Sequence, residues 1–349
     1  MRLVATALAI VIAAGLAATY FAWPKSAPLV HGTGGATQAS EPRANVSPGS
    51  AAIESTVVAA AVPAVAKDDA ARLVPFGDGA SALGRGTTED GRPIAPASFL
   101  ADADGLLVLD QEKSRVLRGD GTSLPLPGKH ADDIARTRDG SLAVLDRTDS
   151  KEVTLMDKSG RVYGHLPLSG TGIDDPRDVS RMIVSGDDVL VERNGGGPLL
   201  RIGGADGTPA AERTEIQGIP TRDGKYLISA GVTNEDEGRA WVTLADHQAV
   251  HRWTRELRFP SVLSAVAFLD SDSSGTVWAV LLAGSTPADY VNWAVCLDPG
   301  TGSLRGSFTL TAENPPWESF RDFAVQDGVG LVAAQRSDSG VSYATYHCP

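Results

Sequence analysis

The feature that most constrains this chain is that it repeats itself. The stretches "PASFLADADGLLVLDQ" (96–111) and "ADDIARTRDGSLAVLDR" (131–147) follow one pattern, 35 residues apart. In each, a polar residue precedes a large apolar one (Ser98-Phe99, Asp133-Ile134), and a turn follows at Asp104-Gly105 or Asp139-Gly140. An apolar run then closes on an acid, Asp110 or Asp146. Related stretches recur at 176–192, 263–283 and 320–335, with a weaker copy at 218–232. Six units therefore start near residues 96, 131, 176, 218, 262 and 319.

The rest of each unit has the same texture. Short runs rich in β-branched and aromatic residues alternate with Asp-Gly, Gly-Gly and Ser-Gly turns. In the second unit "DKSG" (157–160) turns between "EVTLMD" and "RVYGHLPL"; in the fifth, "DPGTG" (298–302) turns between "VNWAVCL" and "SLRGSFTL". From about residue 72 onward, no apolar stripe at helical spacing runs beyond about two turns. Each unit thus reads as four short antiparallel strands. One such sheet has two faces to cover, and radial neighbours cover both, which predicts an all-β, six-bladed β-propeller over 72–349. The sixth unit stops after its third strand, at "VSYATYHCP". The stretch "RLVPFG" (72–77) is the expected fourth strand, supplied from the other chain end to remove an open sheet edge.

The chain start differs. "MRLVATALAIVIAAGLAATYFAW" places one Arg before 21 uncharged, mostly apolar residues. At about 1.5 Å rise per residue, a helix of this length matches the roughly 30 Å hydrocarbon core of a bilayer. Residues 1–23 are therefore expected to be a membrane anchor or a signal peptide, with Gly15-Leu16-Ala17 a possible cleavage site and Tyr20 and Trp23 suited to a membrane interface. Either way the bulk of the chain is exported, to the periplasm or the cell exterior. Residues 24–71, rich in Ala, Ser and Pro, bury too little apolar surface to offset chain entropy, and read as a disordered, flexible linker.

A net charge of -12 leaves no basic field to offset phosphate repulsion, which argues against nucleic acid or anionic lipid as a partner. Cys296 and Cys348 lie in an oxidising compartment on this reading. They are expected either to form a disulfide that ties down the C-terminus or to remain two buried thiols.

The repeats resemble NHL-type units and the wider class of six-bladed propellers, which includes lactonase-like enzymes as well as binding platforms. The resemblance covers about 94–349 and is strongest in "PASFLADADGLLVLDQEKSRVL" and "RDGSLAVLDR", through the turn Gly, the strand-end Asp and, in the first unit, Arg115-Val116. For lactonase-like members it implies a channel metal held by Glu, Asn and Asp that polarises a carbonyl or activates water. Glu192, Asn194, Asn234, Asn292 and Asn314 sit in no motif that carries over.

The residues opening each inner strand align as Ser98, Asp133, Asp178, Ser264 and Asp322. Around a central channel they would form an oxygen-rich ring suited to Ca2+ or another divalent cation, with Asp133, Asp178 and Asp322 as the metal candidates. The same residues would equally fix strand-leading turns by hydrogen bonding to backbone N–H groups, and repetition in several blades favours that role. "DSDSSGTVW" (270–278) is expected to be a turn rather than an EF-hand, because Leu281 stands where the loop needs a carboxylate. No complete catalytic motif is present: there is no Gly-x-Ser-x-Gly, His-Glu-x-x-His or Cys-x-x-Cys. Most tryptophans fall on strands and are expected to pack between blades. Trp317, in "ENPPWESF" before the last inner strand, is the candidate for a binding loop at the channel mouth. The favoured function is a non-catalytic scaffold for a protein, peptide or glycan; a metal-dependent hydrolase with a site in the channel and a structural cell-envelope component are the alternatives.

Overall fold

Thr137, Asp139 and Gly140 show how the repeat becomes a blade. Asp139 accepts from the Thr137 hydroxyl (2.5 Å) and the Ser141 N–H (3.0 Å), while Gly140 adopts φ +86°, which an L side chain disfavours. The chain reverses and pairs Asp133–Arg136 with Leu142–Asp146. The "TRDG" at 221–224 makes the same turn, with Thr221 and the Lys225 N–H donating to Asp223.

The computed structural model describes residues 54–58, 66–67, 71–87, 93–128, 130–286, 289–311 and 319–349. No α-helix occurs among them. They form a six-bladed β-propeller of four-stranded antiparallel sheets. From the channel outward, the first blade runs Ser98–Asp102, Gly105–Asp110, Arg115–Arg118, Ser123–Pro125. The second adds Glu152–Met156 and Val162–Pro167 to the pair above. The third to fifth blades begin with Val179–Ser185, Ile219–Pro220 and Leu263–Ser271. The sixth has only Phe323–Gln326, Gly330–Ser337 and Gly340–His347 from the C-terminal stretch.

Its outer strand is Arg72–Pro75, which pairs antiparallel with Gly340–His347 and sets Val74 opposite Val341. Val74 is buried with Leu83, Phe99, Val341 and Tyr343, so the closing strand contributes packing as well as hydrogen bonds, roughly 1.5–3 kcal/mol for one such side chain. Hydrophobic clusters lie between adjacent blades instead of forming one central core. One joins Leu107, Leu109 and Val116 of the first blade to Ile134, Val144 and Met156 of the second. Others join the second blade to the third, and the fifth to the sixth. This mutual burial is the physical reason for the repeat.

Two segments depart from the linker reading of 24–71. Glu54–Val57 runs parallel to His251–Arg258 on the outside of the fourth blade, and Ala66–Lys67 pairs with Tyr346 and His347. An exposed sheet edge accepts extended backbone of almost any sequence, so composition gave no warning. The expected segment 1–23 lies outside the described residues. Among those described, no helix is long and apolar enough to cross a membrane.

Cys296 and Cys348 are joined in a disulfide, with Cα atoms 6.1 Å apart. The bond ties the third strand of the fifth blade to the chain just past the last strand of the sixth. Of the two alternatives left open by the sequence, it is the cross-link that the fold contains.

Candidate functional site: the central channel

The inner strands bring Ser98 and Asp133 together but not the other three aligned residues. Ser98 donates to Asp133 Oδ1 at 2.5 Å, and both are buried. Asp178 is exposed in a short 3-10 turn (Pro176–Asp178) ahead of its strand. Ser264 is exposed too, at a register break between Leu263 and Ala265, and donates back to the Gly284 carbonyl at 3.0 Å. Asp322 accepts from Arg336 Nη1 at 2.7 Å and the Ser319 hydroxyl at 3.0 Å. The five therefore do not form an oxygen ring. The cause is turn length. The third blade turns between Ser185 and Asp188, the second over Thr137–Ser141, and bulges shift the register further. Alignment from the strand start consequently drifts; the level of Asp133 is occupied in the third blade by Met182, whose N–H donates to Asp133 Oδ2 at 3.3 Å.

What bridges the inner strands of non-adjacent blades is arginine. Arg321 Nη2 donates to Asp133 Oδ2 at 2.6 Å and to the Met182 carbonyl at 2.9 Å, linking the sixth blade to the second and third. Arg181 reaches from the third blade to the Leu269 carbonyl of the fifth at 2.7 Å, with its guanidinium 5.2 Å from the Phe268 ring centre. Arg222, at the turn of the fourth blade, donates to the Val325 carbonyl at 2.6 Å. It also pairs with Asp270 at 3.3 Å and Asp327 at 3.6 Å. Burial lowers the Arg222 pKa, but Asp270 and Asp327 outweigh it and hold the guanidinium above its usual value. Burial depresses Arg181 and raises Glu192; the attraction between these two opposes both shifts without cancelling either.

Asp133 has no capacity left for a cation. Its oxygens accept from Ser98, the Ile134 N–H, the Met182 N–H and Arg321, and the guanidinium already balances its charge. A Ca2+ ion needs six to eight oxygen ligands, several of them unshared. Among the described residues, no group of three or more His, Cys, Asp or Glu side chains is close enough to hold a metal. The donor set does not fit the divalent site that Asp133, Asp178 and Asp322 suggest.

The strand-end acids are built into loops. Asp110 accepts from the Gly84 N–H (3.0 Å) and Arg115 Nε (3.0 Å). Asp146 accepts from the N–H groups of Thr148, Asp149 and Ser150. Burial raises its pKa, and those hydrogen bonds more than reverse the effect. His247 and His251 contact different partners, the Gly224 carbonyl and the Thr254 hydroxyl. The loop at 270–278 is a turn in which Asp272 accepts from Ser274 and the Thr276 N–H. Trp278 is fully buried, Trp253 donates to the Pro299 carbonyl at 3.0 Å, and Trp293 packs edge-on against Phe259. Trp317 and Asn314 lie outside the described residues. The channel arginines escaped the sequence reading. Their signal was a charge within or beside an inner strand, in "SRMIVS", "TRDGK" and "FRDFAV".

Turn acids also contribute to the pH dependence of the fold. Hydrogen bonds from the Ser159 hydroxyl and Arg161 N–H hold Asp157 at about 2, and Arg177 does the same for Asp175. Asp139 and Asp298 are lowered by neighbouring hydroxyl and N–H donors as well. A folded-state pKa below the unfolded value gives stability that is complete above the unfolded pKa, near 4, and is lost as pH falls toward 2. The thermal midpoint is therefore expected to stay nearly level from neutrality to about pH 4.5 and to fall below about pH 4. An unchanged midpoint in that lower window, followed by circular dichroism, would refute the assignment.

No protein-family model matches the chain, and no curated protein matches it. Solved structures do. They include BamB from Moraxella catarrhalis, at 12% identity over 79% of this chain and 96% of that one, with a TM-score of 0.38. A putative gluconolactonase shares 13% identity over 79% and 95%, TM-score 0.42. A putative 6-phosphogluconolactonase from Bacteroides uniformis shares 15% over 77% and 90%, TM-score 0.42. Likeness at this level carries nothing about activity.

Proposed function

We propose that this chain is an exported β-propeller, anchored by or cleaved after residues 1–23, that acts as a non-catalytic scaffold for a protein, peptide or glycan. The observation that carries this reading is the state of the channel. Arg181, Arg222 and Arg321 bridge across it, binding acids and carbonyls of the second, third, fifth and sixth blades. A lactonase-like mechanism needs channel carboxylates free to take a metal, and Asp133 is not free. Binding is then left to the loops at the two faces, which a rigid disc holds in fixed relation. The Cys296–Cys348 bond fits an oxidising compartment.

The test is chemical cross-linking in cells of the full chain and its Trp317→Ala variant, with quantitative identification of what is retained. The scaffold reading expects one species enriched on the wild type and reduced about tenfold in the variant at unchanged thermal stability. Divalent-ion-dependent lactone turnover by the purified chain, abolished in an Asp133→Ala protein that circular dichroism shows to be folded at the assay temperature, would instead establish the hydrolase.

A further inference from the structure

A cleft of about 360 Å³ opens between the first and second blades, on the face that carries the turns after their inner strands. Four cationic side chains line it, each from a different part of the chain. Arg72 comes from the closing strand, Arg118 from the end of Arg115–Arg118, Arg136 from the end of its inner strand, and Lys158 from the turn at 157–160. Two acids line it as well. Arg136 is already paired with Asp104 at 3.0 Å and with Asp102 at 2.5 Å, and Asp120 accepts from the Thr122 N–H and hydroxyl and attracts Arg118.

Two of the other three, Arg72 and Arg118, are held by carbonyls. Arg72 donates to the Gly119 carbonyl, and Arg118 to the Lys158 carbonyl at 2.9 Å. The Lys158 side chain lies over Gly140 so closely that a Cβ there would fall 2.5 Å from its Cε. None of Arg72, Arg118 and Lys158 makes an ion pair among the described residues. In a chain of net charge -12, a concave site lined by four cations and two acids is a local exception to the field of the whole molecule. The floor is apolar, with Leu107, Leu124 and Leu142.

We infer that this cleft binds a small organic anion, an acid group of phosphate or carboxylate type carried on a body of about monosaccharide size. Guanidinium and ammonium donors suit such oxygens, the volume falls in the range of small-ligand sites, and the leucine floor accommodates the non-ionic part. The inference stands apart from the scaffold reading, because it concerns neither the channel nor Trp317.

Isothermal titration of the full chain in phosphate- and sulfate-free buffer tests it, with glucose 6-phosphate, glucuronate, inorganic phosphate and glucose as probes. At least one of the acidic sugars is expected to bind, more weakly as salt rises, and glucose is not. Lys158→Ala with Arg118→Ala should weaken that binding at least about tenfold, while Lys225→Ala, in the fourth blade, leaves it unchanged. If the double variant does not fold, Lys158→Gln alone should give a smaller loss in the same direction. The sugar phosphate and the uronate separate the two acid groups. No binding of either at roughly millimolar concentration, or binding indifferent to the variants, overturns the site. Inorganic phosphate binding as tightly as glucose 6-phosphate overturns the organic half of the assignment.

Discussion

Replacing Asp133 with Ala should cost about 3–5 kcal/mol of stability, because it leaves the Arg321 guanidinium in the channel without its counter-charge. The Ser98 hydroxyl and the Met182 N–H lose their acceptor at the same time. At roughly 2 °C per kcal/mol for a propeller of this length, the thermal midpoint should fall by about 5–10 °C. The control is Asp178→Ala. That residue holds the matching place in the sequence repeat but is exposed, and its change should stay within about 0.5 kcal/mol. Differential scanning calorimetry of the two variants decides between the arrangements. Equal losses would restore the picture of a symmetric ring, as would a Ca2+-dependent rise in the wild-type midpoint that either variant removes.

Cys348→Ser should be nearly as damaging. Cys296 and Cys348 are 52 residues apart, and closing a loop of that length restricts the unfolded chain by about 4 kcal/mol in the chain-entropy account. The substitution also leaves Cys296 as a fully buried thiol. Reductant should lower the wild-type midpoint to that of the variant and leave the variant unaffected. A wild-type midpoint indifferent to reductant would show that the bond contributes nothing. Tyr346, stacked at 4.0 Å on Phe308, offers an independent hold on the same chain end, so loss of cooperativity is not expected.

The fold was legible because the blades obey local rules. Turn residues and alternating apolar runs placed the inner strands near 96, 131, 176, 218, 262 and 319, and they begin at Ser98, Asp133, Val179, Ile219, Leu263 and Phe323. The closing strand at 72–75 was equally readable, since an incomplete last unit demands one. The channel was not. Side chains meet there from different blades, and whether two residues share a level depends on turn lengths and bulges that a repeat alignment cannot see. Asp178 and Ser264 fell off the ring for that reason, while Arg181, Arg222 and Arg321 reached positions no motif marks. The outer strand Glu54–Val57 was hidden differently, since edge pairing asks little of side chains.

The antiparallel seam between Arg72–Pro75 and Gly340–His347 joins sequence from the two extremes of the propeller. Nearly every residue of the disc lies between them, so this pairing has very large sequence separation and is expected to form late. The last blade exists only once Gly340–His347 has been made, and until then the flanks of the first and fifth blades stand uncovered. A nascent chain of this kind must wait, exposed, for that strand, and loss of Gly340–His347 would leave the circle open rather than merely shortened.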